Sequence, residues 1–293
     1  MTKEIKTCLP PDPNTRTPEF KAPPKSCDSH CHVFGPHDVF PYHPSSTYHP
    51  PDGPKEKLKA LHTQLGIDRA VIVQASCHGP DNSAMMDAIA SDPDNYRGVC
   101  IANDSFTDKD FEDLHAGGVR GVRFNFVTHL GGTPNLAMME RVLERVKPLG
   151  WHLVIHVNAE DIITFEDFFL KFDMDIVVDH MGRVPTSDGV HQKAFKILLE
   201  AMRRDNWWAK VCGSERISKA GPPFYDAVPY AQALIDVAPD RILWGTDWPH
   251  PNISKFMPND GDLVDLVPLI ARDEATQRKI LVENPARLYG FTL

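Results

Sequence analysis

Two histidines one residue apart, His30 and His32, close the strand-like segment 26–33 of this 293-residue chain. On an extended strand, side chains two positions apart leave the same face, so the two imidazoles project together. Neutral imidazole is a common ligand for zinc and related metals, and the pair offers two nitrogen donors side by side. With 14 histidines in the chain, one His-x-His also suits an ordinary polar turn. The chemistry therefore depends on partners further along. Arg123, His156, the pair Asp179-His180 and Asp247 each stand at or near the end of another apolar run. Four imidazoles and an acid brought to one place suffice for a single divalent metal, with the acid left to take a proton from water.

Bringing them together is the task of the intervening elements. Apolar, β-rich runs recur at 26–33, 70–74, 98–102, 121–126, 152–157, 175–179, 207–211 and 241–245. Near-continuous apolarity, as in Ala70-Val71-Ile72-Val73, is the habit of strands buried on both faces of a parallel sheet. Helical periodicity marks 82–90, 111–116, 135–147, 159–171, 191–204 and 224–237, with Gly117-Gly118 and Gly150 placed to end helices. Eight strands alternating with helices predict an α/β chain of the (β/α)8 type, with an open doubly wound sheet as the structural alternative. In a barrel, the long links 34–54 and 248–261 lie over the C-terminal mouth, where active sites are built. The organisation expected is a Pro-rich extended arm over residues 1–24 and one barrel domain over 25–293.

Composition narrows the partners. A hydrophobic content of 42% and a charged content of 24% are those of a globular protein with a sizeable core. A net charge of −9, with no Lys/Arg-rich run, argues against nucleic acid, and no apolar stretch approaches a membrane span. The first 25 residues lack the apolar core of a signal peptide. The six cysteines are scattered without framework spacing, as expected of free thiols in a reducing cytoplasm. Monomer or weak homo-oligomer is the expected state.

Several blocks carry a resemblance: Asp28-Ser29-His30-Cys31-His32, Gln74-Ala75-Ser76-Cys77-His78-Gly79, Gly121-Val122-Arg123-Phe124-Asn125-Phe126, Asp179-His180-Met181-Gly182-Arg183 and Trp244-Gly245-Thr246-Asp247-Trp248-Pro249-His250. Together they resemble the amidohydrolase superfamily, and within it the lactone-hydrolysing branch that acts on pyrone dicarboxylates and sulfonated muconolactones. The resemblance implies a barrel that hydrolyses a small anionic lactone from aromatic-acid degradation. It implies metal or substrate ligation by His30, His32 and His180, and a general-base role for Asp247. Tyr48, Ser76, Arg123, Arg183 and Arg216 would contact substrate. A planar guanidinium pairs bidentately with carboxylate or sulfonate, so several arginines at one mouth agree with an anionic ligand.

Two positions depart from the pyrone-hydrolysing relatives, which carry tyrosine where this chain has His156 and arginine where it has His129. Those enzymes work without a divalent metal. His156 restores a strand-five histidine, so the expected metal set is His30, His32, His156, His180 and Asp247, with one zinc ion. Arg123 stands where binuclear members have a lysine, which favours one metal over two. Loss of the arginine at His129, itself a substrate-binding position, disfavours the pyrone dicarboxylate and favours 4-sulfomuconolactone. The alternative activities are hydrolysis of the pyrone dicarboxylate and that of a metal-dependent decarboxylase of the same superfamily, which shares the His-x-His, the strand-six histidine and the strand-eight aspartate.

Overall fold

The computed structural model describes residues 6–253 and 256–293. Each of the eight apolar runs forms a strand: β1 Cys27–Cys31, β2 Arg69–Val73, β3 Tyr96–Cys100, β4 Val119–Asn125, β5 His152–His156, β6 Ile176–Val178, β7 Trp207–Lys210 and β8 Ile242–Leu243. They pair in chain order, every pair parallel. β8 is short, and the ring is closed by backbone bonds just beyond it. Ser29 N donates to Trp244 O at 2.8 Å and Asp247 N to His30 O at 2.7 Å. The closed barrel rules out the open sheet.

Alternation along the strands sorts the core into two layers. Val71, Val73, Val99, Val154, Val177 and Leu243 fill the barrel interior. The C-terminal helix Asn284–Tyr289 closes the lower end with Tyr289. The alternate residues, including Ile72, Val122, Leu153, Ile155 and Ala209, face outward against the helices through Leu58, Met85, Leu143, Phe195 and Leu234. Above the apolar interior the next inward positions are polar. By this parity Arg123, His156, Asp179 and Lys210 form the upper layer, and each is buried.

Strand β1 breaks the parity once. Its register against β2 runs Asp28 to Ala70 and then Cys31 to Ile72, so one extra residue is inserted. A bulge of this kind turns the following side chains to the other face. It is why Cys27 belongs to the interior and Cys31 to the outer layer, while His30 and His32 point inward.

The helices differ from expectation in several places, and those between Asp260 and Tyr289 lie beyond the last expected segment. The segment 159–171 breaks at Phe165 into Ala159–Thr164 and Glu166–Leu170. The segment 224–237 becomes a helix only from Val228, after a single turn. The helix Lys55–Leu65, absent from the sequence reading, buries Leu58, Leu61 and Leu65 at helical spacing. The described part of the N-terminal arm starts beside the mouth and continues along the helices Lys55–Leu65 and Asp260–Asp265. Lys6–Thr7 pairs with Tyr48–His49, and Phe20 N donates to Asp265 Oδ1 at 2.8 Å. Residues 1–5 of the arm and 254–255 of the last long link lie outside the described residues. Among the described residues no helix is long and apolar enough to cross a membrane.

Candidate active site

The barrel brings the scattered candidates to one rim. His32, Tyr48, Ser76, Arg123, His129 and His156 line one pocket together with His180, Arg216, Asp247 and Asn252. Arg183 lines the adjoining part of the mouth, which shares Arg216 and Asn252 with that pocket. His30 lies beneath and is fully buried.

Asp247 is the hub. Its Oδ1 lies 3.3 Å from His32 Nε2, 3.5 Å from His30 Nε2 and 3.9 Å from His180 Nε2. Its Oδ2 accepts a hydrogen bond from Arg216 Nε. Burial opposes the carboxylate charge, but Arg216 and the imidazoles outweigh it and hold the acid well below the usual carboxylate range. Arg216 in turn donates through Nη1 to Pro251 O at 3.0 Å.

Backbone conformation aims several of these groups. His180, Met181, Gly182 and Arg183 have φ of 51°, 52°, 66° and 49°, a left-handed turn directly after β6. Non-glycine residues enter that region only when their surroundings hold them there, and such strain concentrates at functional sites. Gly213 supplies part of the enclosure, since a Cβ there would lie 2.8 Å from His180 Nδ1. On the other side, Cys212 Sγ stands 3.2 Å from that nitrogen.

The donor set fits one metal ion. His30 Nε2, His32 Nε2 and Asp247 Oδ1 belong to buried groups whose ligand atoms lie within 4.8 Å of one another. His32 Nδ1–H donates to Val73 O at 2.8 Å, which leaves its Nε2 as a lone pair. His30 Nδ1 lies 3.2 Å from Asp179 Oδ1, and its buried Nε2 makes no hydrogen bond among the described residues. A buried nitrogen without a partner is costly unless something binds it. Burial and the neighbouring Lys210 push the His30 imidazole down to about 4, so it is neutral at physiological pH and can act as a ligand.

His156 stands apart from that set. Its Nδ1–H donates to Asn125 Oδ1 at 2.9 Å, and Asn125 Nδ2 reaches Ser76 Oγ at 3.2 Å. Its Nε2 is buried without a partner and faces the pocket, 5.3 Å between ring centroids from His180. No metal-holding group among the described residues includes it.

The walls are cationic. Arg183 is lowered to about 10 by burial and by Arg216, yet remains charged at neutral pH. His129 is exposed at the outer edge of the pocket, where partial desolvation and then Arg183 and Arg216 push its imidazole below the ordinary value and favour the neutral ring. Tyr48 is buried, and desolvation keeps its hydroxyl protonated.

Four residues at the rim were not assigned roles from the sequence. Asp179 accepts from Arg123 Nε at 2.7 Å and lies 3.1 Å from Lys210 Nζ. Glu215 and His250 extend the network behind Arg216, at 3.6 Å from Arg216 to Glu215 and 3.7 Å from Glu215 to His250. Lys210 was legible in principle: with Trp208 inward, the alternation of β7 turns Lys210 inward as well.

A closed parallel barrel whose strand ends gather imidazoles around one aspartate, under arginine walls, is built for hydrolytic chemistry. Residues 27–291 match the amidohydrolase family, and the chain belongs to it. It is 46% identical over 286 residues to the 2-pyrone-4,6-dicarboxylate hydrolase of Comamonas testosteroni, covering 94% of this chain and 93% of the relative. It is 41% identical to the 4-sulfomuconolactone hydrolase of Rhizobium radiobacter, over 98% and 97% of the two chains. A crystal structure of an Agrobacterium tumefaciens protein in its apo form superposes with a TM-score of 0.82 at 29% identity, covering 94% of this chain and 99% of that one.

Proposed function

We propose that this hydrolase of cyclic esters opens a small lactone carrying anionic groups, by attack of water on the ring carbonyl. The observation that carries the reading is the gathering of His30, His32 and Asp247 under walls bearing Arg123, Arg183 and Arg216. His30, His32 and Asp247 would hold one divalent cation such as Zn²⁺, which when bound supplies Lewis acidity to the carbonyl and acidifies water. Asp247 takes the proton of the attacking water. As the ester C–O bond breaks, the same group returns that proton to the departing ring oxygen. His180, beside Asp247, stands over the developing negative charge on the carbonyl oxygen. Arg183 and Arg216 bind the substrate's anionic groups and orient the ring.

Of the two lactones whose hydrolases the chain resembles, 4-sulfomuconolactone is favoured. The support is His129, a neutral imidazole in the pocket where the resemblance to the pyrone-hydrolysing branch implies a guanidinium. The test is turnover of both lactones by the purified protein, with metal analysis of the same sample. Sulfonated muconolactone should be opened and the pyrone dicarboxylate turned over more slowly; equal inertness towards both would reject the reading. Asp247→Asn should lower kcat by about a thousandfold or more, the scale of losing a positioned acid–base group.

A further inference from the structure

Lys210 is fully buried at the end of β7, in the heart of the site. Burying an ammonium is expensive, and it is tolerated only where partners hold the charge. Its Nζ lies 3.1 Å from Asp179 Oδ1 and 3.0 Å from His30 Nδ1. Those two residues belong, with His180, to a second buried group of potential metal donors that shares His30 with the first. A cation thus already stands against the donors of that second group.

Lys210 also acts on the first group through His30. When Asp179 accepts the Nδ1 proton, His30 Nε2 is a free lone pair. When Lys210 donates to Nδ1, the ring proton must sit on Nε2, which faces Asp247, and that nitrogen cannot ligate. Both effects run in one direction, since the ammonium repels a second cation and competes for the ring nitrogen.

We propose that Lys210 is the resident cation of this cluster and holds down its affinity for divalent metal. The site keeps a positive charge against Asp179 and His30 without any ion, and metal binds against that charge. The inference concerns metal affinity and stands whether or not the lactone reading holds.

The experiment is Zn²⁺ titration by calorimetry of apo wild-type protein and the variants Lys210→Met, Lys210→Arg and Lys210→Met/Asp179→Asn. Lys210→Met should bind Zn²⁺ at least about tenfold more tightly than wild type, the scale on which neighbours of metal ligands act. Lys210→Arg keeps the charge and should stay within about threefold of wild type. The double variant, which removes the carboxylate as well, should lose the gain. A folded Lys210→Met with wild-type affinity overturns the proposal, as does equal tightening in Lys210→Arg or in the double variant. If Lys210→Met does not fold without metal, its melting temperature should rise with Zn²⁺ more than that of wild type; an equal or smaller rise also overturns it.

Discussion

Asp28 Oδ2 accepts a hydrogen bond from Thr246 Oγ1 at 2.6 Å, joining the first barrel strand to the segment that follows the eighth. The same carboxylate accepts from Thr246 N and His30 N, each at 3.0 Å, and from His62 Nε2 at 3.1 Å. It thereby spaces His30 from Asp247, because both backbones hang from it. Asp28→Ala leaves these donors without an acceptor in a dry interior. We expect a loss of about 3–5 kcal/mol in unfolding free energy, measured by urea denaturation. Thr246→Val removes one of the bonds to Asp28 and also the oxygen that accepts from Trp248 N at 3.0 Å, and should cost about 1–3 kcal/mol.

Buried His250 sets the alkaline side of the stability curve. Its Nε2–H donates to Asp260 Oδ1 at 3.0 Å, and Glu215 faces its other nitrogen. Burial opposes the imidazolium, but Asp260 and Glu215 outweigh burial and push its pKa up to about 10. The unfolded value is near 6.5, so the folded state binds the extra proton between the two. The contribution is complete below about pH 6.5 and is lost as pH rises towards 10. Unfolding free energy of the wild type should therefore fall over that range, and the slope should flatten in His250→Gln. An unchanged slope would show that His250 is neutral in the fold.

His152 works on the opposite side. It is buried in the barrel interior against Tyr289, and desolvation pushes its pKa down to about 3. Here the unfolded chain binds the extra proton, so the stability is present above about pH 6.5 and declines as pH falls through the folded value. His152→Gln should soften the acid limb of the same urea series and leave the alkaline limb as it was.

The barrel was legible because its signal is local. Each strand is a short apolar run, and five of the strand ends carried a residue type rare among its neighbours, as at His156 and Asp247. What could not be read depended on register or on tertiary burial. The extra residue in β1 decides that His30 faces inward while Cys31 does not, and no pattern within Cys27–Cys31 announces a bulge. The partnership of Lys210 with Asp179 joins two strands that are neighbours only once the sheet is formed. Whether a strand-end histidine joins the donor set or only lines the pocket also depends on side-chain direction, the question that His156 poses.

His129 is the position at which the substrate preference should be altered. It lies in the pocket with Tyr48, Arg123 and Arg216, and it carries no charge at neutral pH. His129→Arg would add a permanent cation to that pocket. Among kcat/KM values for the two lactones, the ratio of pyrone dicarboxylate to sulfomuconolactone should rise by about tenfold, on the scale of one charge-assisted pair at about 1.5–3 kcal/mol. A ratio that stays put would mean that His129 does not meet the anionic groups.

Position 156 separates ligation from recognition. The sequence reading places His156 among the metal ligands, whereas its Nδ1 is committed to Asn125 and its Nε2 looks into the pocket. Burial, with Arg123 beside it, holds its pKa well below the ordinary value, so it meets substrate as a neutral ring. A neutral imidazole with its proton on Nδ1 presents only an acceptor at Nε2, suited to a hydroxyl or a water that bridges to the lactone. His156→Ala should therefore keep the zinc content of wild type, measured on the purified protein, while raising KM several-fold. His156→Gln, which restores an acceptor or donor at similar reach, should recover part of that loss. If His156→Ala instead loses bound metal in step with activity, the imidazole swings into the donor set and belongs with His30 and His32.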